Sequence, residues 1–277
     1  MPEGDTIFRT ARTLSRALGG HVVTGFESAF PALTRVHYDR PLTGRTVESV
    51  VSRGKHLLMY FSDDLILHTH MRMNGSWHIY RTGERWQRPA RDMRIVVATD
   101  VFVAVAFNVP VAEFLSGRDL ERHSQLRELG PDLAAPDHAA FDRAEVAARI
   151  RRHDREAIGD VLLNQRVVSG AGNVLKSEIL FVSGVNPFAA AGDLSDAVLD
   201  RLLDAARTLL AMNIVEPERA LNPAFGRHTT GSLDQDAKLW VYGRSGRPCR
   251  RCGTPIASRK TGLEARITFW CPECQKA

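Results

Sequence analysis

Apolar residues recur along the chain in distinct textures. Between Thr6 and Leu18, Ile7, Phe8, Ala11, Leu14 and Leu18 share one helical face, with Asp5 placed to cap the helix and Gly19-Gly20 to stop it. From there to about Leu115 the runs VESVVSRGKHLLMYF, LILHTHM and RIVVATDVFVAVAF are rich in Val, Ile and Phe. They break at Arg53-Gly54, Asp63-Asp64 and Thr99-Asp100, and short strands at this spacing predict a β-sandwich or barrel. The polar stretch around Ser116–Pro136 reads as a linker. Helical spacing then returns in FDRAEVAARIRRH, REAIGDVLLNQRVV, NVLKSEILFVSG and LSDAVLDRLLDAARTLLAM, the last with Leu194, Val198, Leu202, Ala206 and Leu209 as a core stripe. The segment from Glu216 to Asp236 is loop-like, and no internal repeat or low-complexity tract interrupts the pattern.

Composition narrows the class. With 277 residues and 44% hydrophobic content, the chain can bury one large or two to three modest cores. No run approaches eighteen apolar residues, so no membrane-spanning helix is expected. The opening MPEGDTIFRT has neither a basic nor an apolar leader segment, which predicts a cytoplasmic location. The balance of 37 basic against 32 acidic residues is too diffuse to name an anionic partner. Only Lys55, Lys176, Lys238, Lys260 and Lys276 are lysines, so a lysine kept at a tight turn stands out.

The four cysteines sit close to the C-terminus as Cys249-Arg-Arg-Cys252 and Cys271-Pro-Glu-Cys274. Each pair offers two thiolates from one turn, and four soft ligands suit tetrahedral zinc. Gly253 and Thr261-Gly262 punctuate the intervening segment, and ARITFW has strand character. A two-knuckle ribbon with one structural zinc is predicted, with no open coordination position for chemistry. The competing readings are two disulfides, disfavoured in a cytosolic chain, or unrelated thiols.

Three further features carry possible chemistry. Removal of Met1 would expose the secondary amine of Pro2, which is unprotonated more readily than a lysine and can attack an aldehyde carbon to give an iminium ion. Glu3 is placed beside it as a proton carrier, although many chains begin Met-Pro without any such role. Lys55, in Ser52-Arg53-Gly54-Lys55-His56, lies at a hairpin between apolar strands, either solvated or set in a groove to contact a phosphate or protonate a leaving oxygen. Gly170-Ala171-Gly172-Asn173 joins two helical segments, either as a capped connection or as a backbone-phosphate cradle at a helix N-terminus.

Taken together, Pro2-Glu3-Gly4, Arg53-Gly54-Lys55, His70-Met71-Arg72-Met73-Asn74-Gly75, Leu129-Gly130-Pro131-Asp132-Leu133, Gly170 through Glu178 and the cysteine ribbon occur in the order of a known family. Across essentially its full length the sequence resembles the formamidopyrimidine-DNA glycosylase/endonuclease VIII family. The resemblance implies an α+β multidomain fold: an N-terminal β-sandwich with a leading helix (1–115), a linker (116–135), a helix–two-turns–helix domain (136–230) and a zinc ribbon (231–277). It implies a base-excision-repair enzyme, a DNA glycosylase with AP (apurinic/apyrimidinic) lyase activity, acting on damaged DNA as a monomer with zinc and no organic cofactor. Pro2 would attack C1′ of the damaged nucleotide with Glu3 as acid/base partner, followed by β,δ-elimination. Lys55 would assist at a phosphate, and Asn173 and Arg266 would hold phosphates. Met73 would fill the gap left by a flipped base and Arg72 would face the opposite strand, although Met71 and Met73 could equally be strand core. Glu178 matches the family glutamate, in a bracing or chemical role.

One departure separates the branches. The formamidopyrimidine branch carries an arginine and a phenylalanine wedge after its last strands, whereas this chain reads Phe107-Asn108-Val109-Pro110-Val111-Ala112-Glu113-Phe114. With the opening Pro2-Glu3-Gly4-Asp5, this resembles the endonuclease VIII branch and predicts oxidised pyrimidines over 8-oxoguanine. The alternative is a zinc-ribbon protein that binds damaged or structured nucleic acid without cleaving it.

Overall fold

The computed structural model describes residues 2–135, 141–214, 227–232, 234, 237–262 and 264–276. The loop-like stretch from Glu216 to Asp236 therefore lies outside the described residues, except for 227–232 and 234. The chain divides into two compact units, Met1–Pro2 with Thr6–Glu128, and Glu3–Asp5 with Leu129–Ala277.

The first unit is a β-sandwich. One sheet joins β1 (Gly25–Ser28), β6 (Met93–Ala98), β7 (Phe102–Phe107) and β5 (Ser76–Arg81) in that order. The other joins β2 (Val47–Arg53), β3 (His56–Phe61), β4 (Leu65–His70) and β8 (Val111–Leu115). Side chains alternate across a strand, so Leu57, Met59 and Phe61 of β3 and Leu65 and Leu67 of β4 enter the core with Ile95, Val97, Ala104 and Ala106. Ile7, Ala11, Leu14 and Leu18 of α1 (Gly4–Leu18) close it, as their spacing predicts. That helix begins at Gly4, so Asp5 lies inside its first turn instead of capping it. The helix α2 (Pro31–Asp39) is an addition to the predicted strands; it buries only Leu33 and leaves little stripe to detect.

The expected linker is partly helical. Ser116 and Asp119 form a reciprocal capping box for α3 (Gly117–Arg122), and His123 caps α4 (Ser124–Arg127), which buries Leu126.

In the second unit, Asp142 caps α5 (Arg143–Arg151) through Glu145 N–H at 2.8 Å. The predicted helix over REAIGDVLLNQRVV shrinks to α6 (Ile158–Val161). Its backbone is drawn into tertiary bonds: Gly130 N–H donates to the Gln165 carbonyl at 2.8 Å, and the Gln165 amide serves Leu163, Ala171 and Gly170. The turns that follow lead to α7 (Asn173–Ser183), whose residues from Asn173 to Phe181 are all buried. Gly184 ends α7 in the left-handed conformation, φ 70°, the backbone state that favours glycine. The last helix, α8 (Asp196–Ile214), buries Leu202, Ala206 and Leu209. The antiparallel hairpin β9 (Ala257–Thr261) and β10 (Arg266–Trp270) packs around Phe181, Val241, Ile256 and two of the cysteines.

Candidate active site

In the first unit, Pro2 is half-buried on the wall of a cleft of about 760 Å³. Met73, Asn74, Arg88, Arg94 and Asn108 line the same cleft. Met73 sits in the turn after β4 and is 61% exposed, while Met71 is buried in the core, so the two methionines part company. Gly75 closes that turn by donating its N–H to the Met71 carbonyl at 2.9 Å, where a Cβ would come within 2.5 Å of that oxygen. Arg72 is exposed with φ 47°. Phe107 is wholly buried beside Tyr80 and Val105.

Lys55 occupies the two-residue turn between β2 and β3, half-buried, with Gly54 supplying the positive φ of 59° at the first position. His56 and His70 pair across β3 and β4 behind this turn. Burial, reinforced by neighbouring histidines and Lys55, pushes His56 down to about 2 and His70 to about 4, so both are neutral near pH 7.

In the second unit, Glu3 is fully buried and its carboxylate accepts the N–H groups of Val174 at 2.8 Å and Leu175 at 3.0 Å. These are the orphan donors of the first turn of α7, so that helix end holds a protein carboxylate where phosphate binding was one expectation. Close backbone approach makes this possible. Gly4 N–H donates to the Gly170 carbonyl at 2.8 Å, and a Cβ on Gly172 would lie 2.4 Å from Glu3 Cδ.

Asp5 and Arg227, absent from the predicted set, form a buried pair with Arg227 Nε 2.7 Å from Asp5 Oδ2. Arg227 Nη1 also lies 3.8 Å from Glu3 Oε2. Burial disfavours the guanidinium charge, but Asp5 and Glu3 outweigh it and raise the arginine above its ordinary range. Only the acidic Asp5 beside Glu3 hinted at this, and Arg227 stands in a loop-like stretch with no periodicity to mark it.

Asn173 donates its Nδ2 to the Ile267 carbonyl at 2.9 Å. Lys176 and Ser177 continue the contact, through Lys176 Nζ to Thr268 Oγ1 at 2.7 Å and Phe269 N–H to Ser177 Oγ at 3.4 Å. Arg266 begins β10 and pairs with Glu264 at 2.9 Å, its side chain 40% exposed. Glu178 is a brace: it accepts the N–H groups of Trp240, Val241 and Tyr242 at 2.8, 2.9 and 2.8 Å, and the Thr229 hydroxyl.

Cys249, Cys252, Cys271 and Cys274 converge with their sulfurs within 4.8 Å of one another. The Cys249–Cys274 and Cys252–Cys271 separations are 3.9 and 3.4 Å. Four thiolates at about 2.3 Å from a tetrahedral zinc stand roughly 3.8 Å apart, so the cluster fits that ion.

The two-part architecture has counterparts in known proteins. Residues 1–110 match the formamidopyrimidine-DNA glycosylase N-terminal domain and residues 129–221 the formamidopyrimidine-DNA glycosylase H2TH domain. A probable endonuclease 8 2 of Streptomyces coelicolor is 41% identical, covering 99% of this chain and 94% of its own. The chain belongs to the formamidopyrimidine-DNA glycosylase/endonuclease VIII family. Another family member, the DNA-(apurinic or apyrimidinic site) lyase Nei2 of Mycolicibacterium smegmatis, is 37% identical over the whole of both chains. The fold matches that of Lactococcus lactis formamidopyrimidine-DNA glycosylase bound non-covalently to DNA containing an AP site, with a TM-score of 0.82 at 23% identity over all of both chains. The expected α+β family fold thus holds, with its relatives named on the endonuclease VIII side. Among the described residues no helix is long and apolar enough to cross a membrane.

Proposed function

We propose that this chain is a bifunctional DNA glycosylase/AP lyase that excises oxidised bases, pyrimidines in preference, using mature Pro2 as nucleophile. The observation that carries this reading is the placement of Pro2 on the cleft wall, immediately followed in the chain by a carboxylate fixed by two backbone donors.

The Pro2 nitrogen lone pair forms a bond to C1′ as the bond from C1′ to the base breaks, and the base leaves with the electron pair and a proton. Opening of the sugar ring, with Glu3 as the proton carrier to the ring oxygen, yields an iminium between Pro2 and C1′. The iminium acidifies C2′; loss of that proton expels the 3′ phosphate, and a second elimination expels the 5′ phosphate. Hydrolysis of the remaining iminium returns Pro2. Lys55, on a stiff hairpin, supplies a cation for the phosphate being expelled. Arg266 and Asn173 act on phosphates, and a guanidinium suits that task because it stays charged and forks onto oxyanions.

Met73 fills the stack after base flipping, which its exposure on the cleft allows. Arg72, exposed in the same turn, faces the opposite strand. The segment 107–114 shows neither the arginine nor the phenylalanine wedge of the formamidopyrimidine branch, which supports the pyrimidine preference. The cysteines hold one zinc that folds the ribbon and leaves no coordination position for catalysis, and no organic cofactor takes part. The protein acts as a cytoplasmic monomer, on the nucleoid when engaged with DNA. Its four parts are the sandwich (1–115), the connecting segment (116–135), the helical domain (136–230) and the ribbon (231–277).

Borohydride reduction in the presence of duplexes carrying thymine glycol or an AP site tests the reading. A covalent adduct mapping to the Pro2 peptide, with strand cleavage in its absence, is expected. Salt-sensitive DNA binding with neither adduct nor cleavage, from protein shown to begin at Pro2, would leave the non-catalytic binding reading in its place.

A further inference from the structure

The outer face of the β2–β3–β4–β8 sheet carries a cluster that the excision chemistry does not use. Alternation along β4 turns His68 and His70 away from the sandwich core, and cross-strand register sets His68 opposite Glu113 of β8. His123, between α3 and α4, reaches the same point from a third element. Glu113 Oε1 lies 2.9 Å from His68 Nδ1 and 3.0 Å from His123 Nε2. The three ligating atoms all fall within 4.8 Å of one another. We propose that His68, Glu113 and His123 form a binding site for a divalent transition-metal ion of the zinc type, separate from the cysteine ribbon.

The donor set suits such an ion: two imidazoles and a carboxylate. Zinc bonds of about 2.0–2.2 Å put neighbouring tetrahedral ligands roughly 3.3 Å apart, so the two contacts to Glu113 open by only a few tenths of an ångström to admit it. Access is graded: His68 is 1% exposed, His123 16% and Glu113 42%, which leaves a solvent side for entry and for a fourth ligand.

A partner for the inner imidazole is already in place. His68 Nε2 lies 2.8 Å from His56 Nδ1, and metal-bound histidines characteristically donate their other N–H to a neighbouring acceptor, a part the His56 nitrogen can take. Proton positions can be followed through the chain of contacts. Without metal, the Glu113 carboxylate receives N–H bonds from both histidines, and His68 Nε2 accepts from His56 Nδ1–H. With metal bound, the His68 proton moves to Nε2 and donates to His56 Nδ1, whose own proton moves to Nε2. The His123 proton moves to Nδ1, which gives up the 3.3 Å bond from Leu126 N–H. All three imidazoles stay neutral, as ligation requires, and the ion fixes the tautomer of the residue directly after Lys55.

Zinc content of the full-length protein, measured by mass spectrometry after dialysis against micromolar zinc, tests the site. Two equivalents per chain are expected in wild type, falling to one in Glu113→Gln and in His123→Gln while circular dichroism is unchanged. A single equivalent in wild type, or two equivalents retained in both variants, would overturn the proposal. Nitrogen-15 histidine spectra give an independent readout: the second equivalent should convert His56 from the Nδ1–H to the Nε2–H tautomer. An unchanged His56 signal with that equivalent bound would also refute the arrangement.

Discussion

Glu3 caps α7, its two carboxylate oxygens accepting Val174 N–H and Leu175 N–H at 2.8 and 3.0 Å. Gly172, the residue before the helix, makes room for it, since a Cβ there would lie 2.4 Å from Glu3 Cδ. The backbone of Gly172 is extended, φ −121° and ψ −165°, so alanine at this position is opposed by Glu3 and not by backbone strain. Gly172→Ala should therefore displace the carboxylate while leaving every catalytic group in the chain. A displacement of about 1 Å costs on the order of a hundredfold in rate, and overpacking costs about 1–3 kcal/mol. Single-turnover excision alongside thermal melting checks this; a near wild-type rate would mean that Glu3 need not sit where it does.

How much of this was legible in the sequence varies by element. The α1 stripe, the β2–β3 hairpin with Gly54-Lys55 at its turn, α7 from Asn173 and the cysteine spacing could all be read, because each is set by local period or by ligand geometry. REAIGDVLLNQRVV reads as a helix, yet its backbone groups bond to partners outside the segment: Ile158 N–H to the Ala189 carbonyl, Gly159 N–H to the Pro187 carbonyl, and the Gln165 carbonyl to Gly130 N–H. Local pattern carries no trace of such partners. The Asp5–Arg227 pair joins residues far apart in the chain, and for the same reason no local pattern marks Arg227 as the partner. Met71 and Met73 were ambiguous because alternation assigns both to one face; the turn after β4 breaks that alternation and exposes only Met73. Cleft-lining Arg88 and Arg94 lay in a basic stretch, GERWQRPARDMR, that offered charge without a motif.

Met73 offers a separation of function from stability. Because it is 61% exposed, Met73→Ala should change unfolding free energy by no more than about 0.5 kcal/mol. If its side chain replaces a flipped base, excision from duplex DNA should fall severalfold or more, while excision from single-stranded DNA, which has less stacking to restore, should fall less. Equal losses on both substrates would argue against a plug.

Arg266 is half-exposed on β10 and pairs with the exposed Glu264, so its charge is available to an oxyanion. One lost phosphate contact lowers the slope of log K against log salt by roughly 1. Arg266→Ala should show that change in fluorescence-anisotropy titrations on lesion-containing duplexes. Zinc removal should produce a larger loss, since β9 and β10 pack around the cysteines and the strand carrying Arg266 would lose its support. Chelated protein that kept the wild-type slope would separate the ribbon from DNA binding.

Lys176 ties α7 to β10 at a cost that depends on pH. Its Nζ donates to Thr268 Oγ1 at 2.7 Å, and Thr268 in turn meets Thr261 Oγ1 at 2.7 Å. Burial pushes this amine down to about 8; Asp160 and Glu3 favour its charge, and Arg266 opposes it. The folded pKa is thus below the unfolded one, and between them the unfolded chain binds more protons. Stability therefore rises with pH across that interval, and the penalty is fully present below about 8. A gap of roughly 2.5 pH units corresponds to about 3 kcal/mol. Lys176→Met removes the titration along with the hydrogen bond. Urea unfolding of both proteins from pH 7.5 to 10 should show the difference in stability moving toward wild type by roughly 2–3 kcal/mol. Titrations that affect both proteins cancel in that difference, so curves that stay parallel across the range would mean that Lys176 keeps an ordinary lysine pKa in the folded protein.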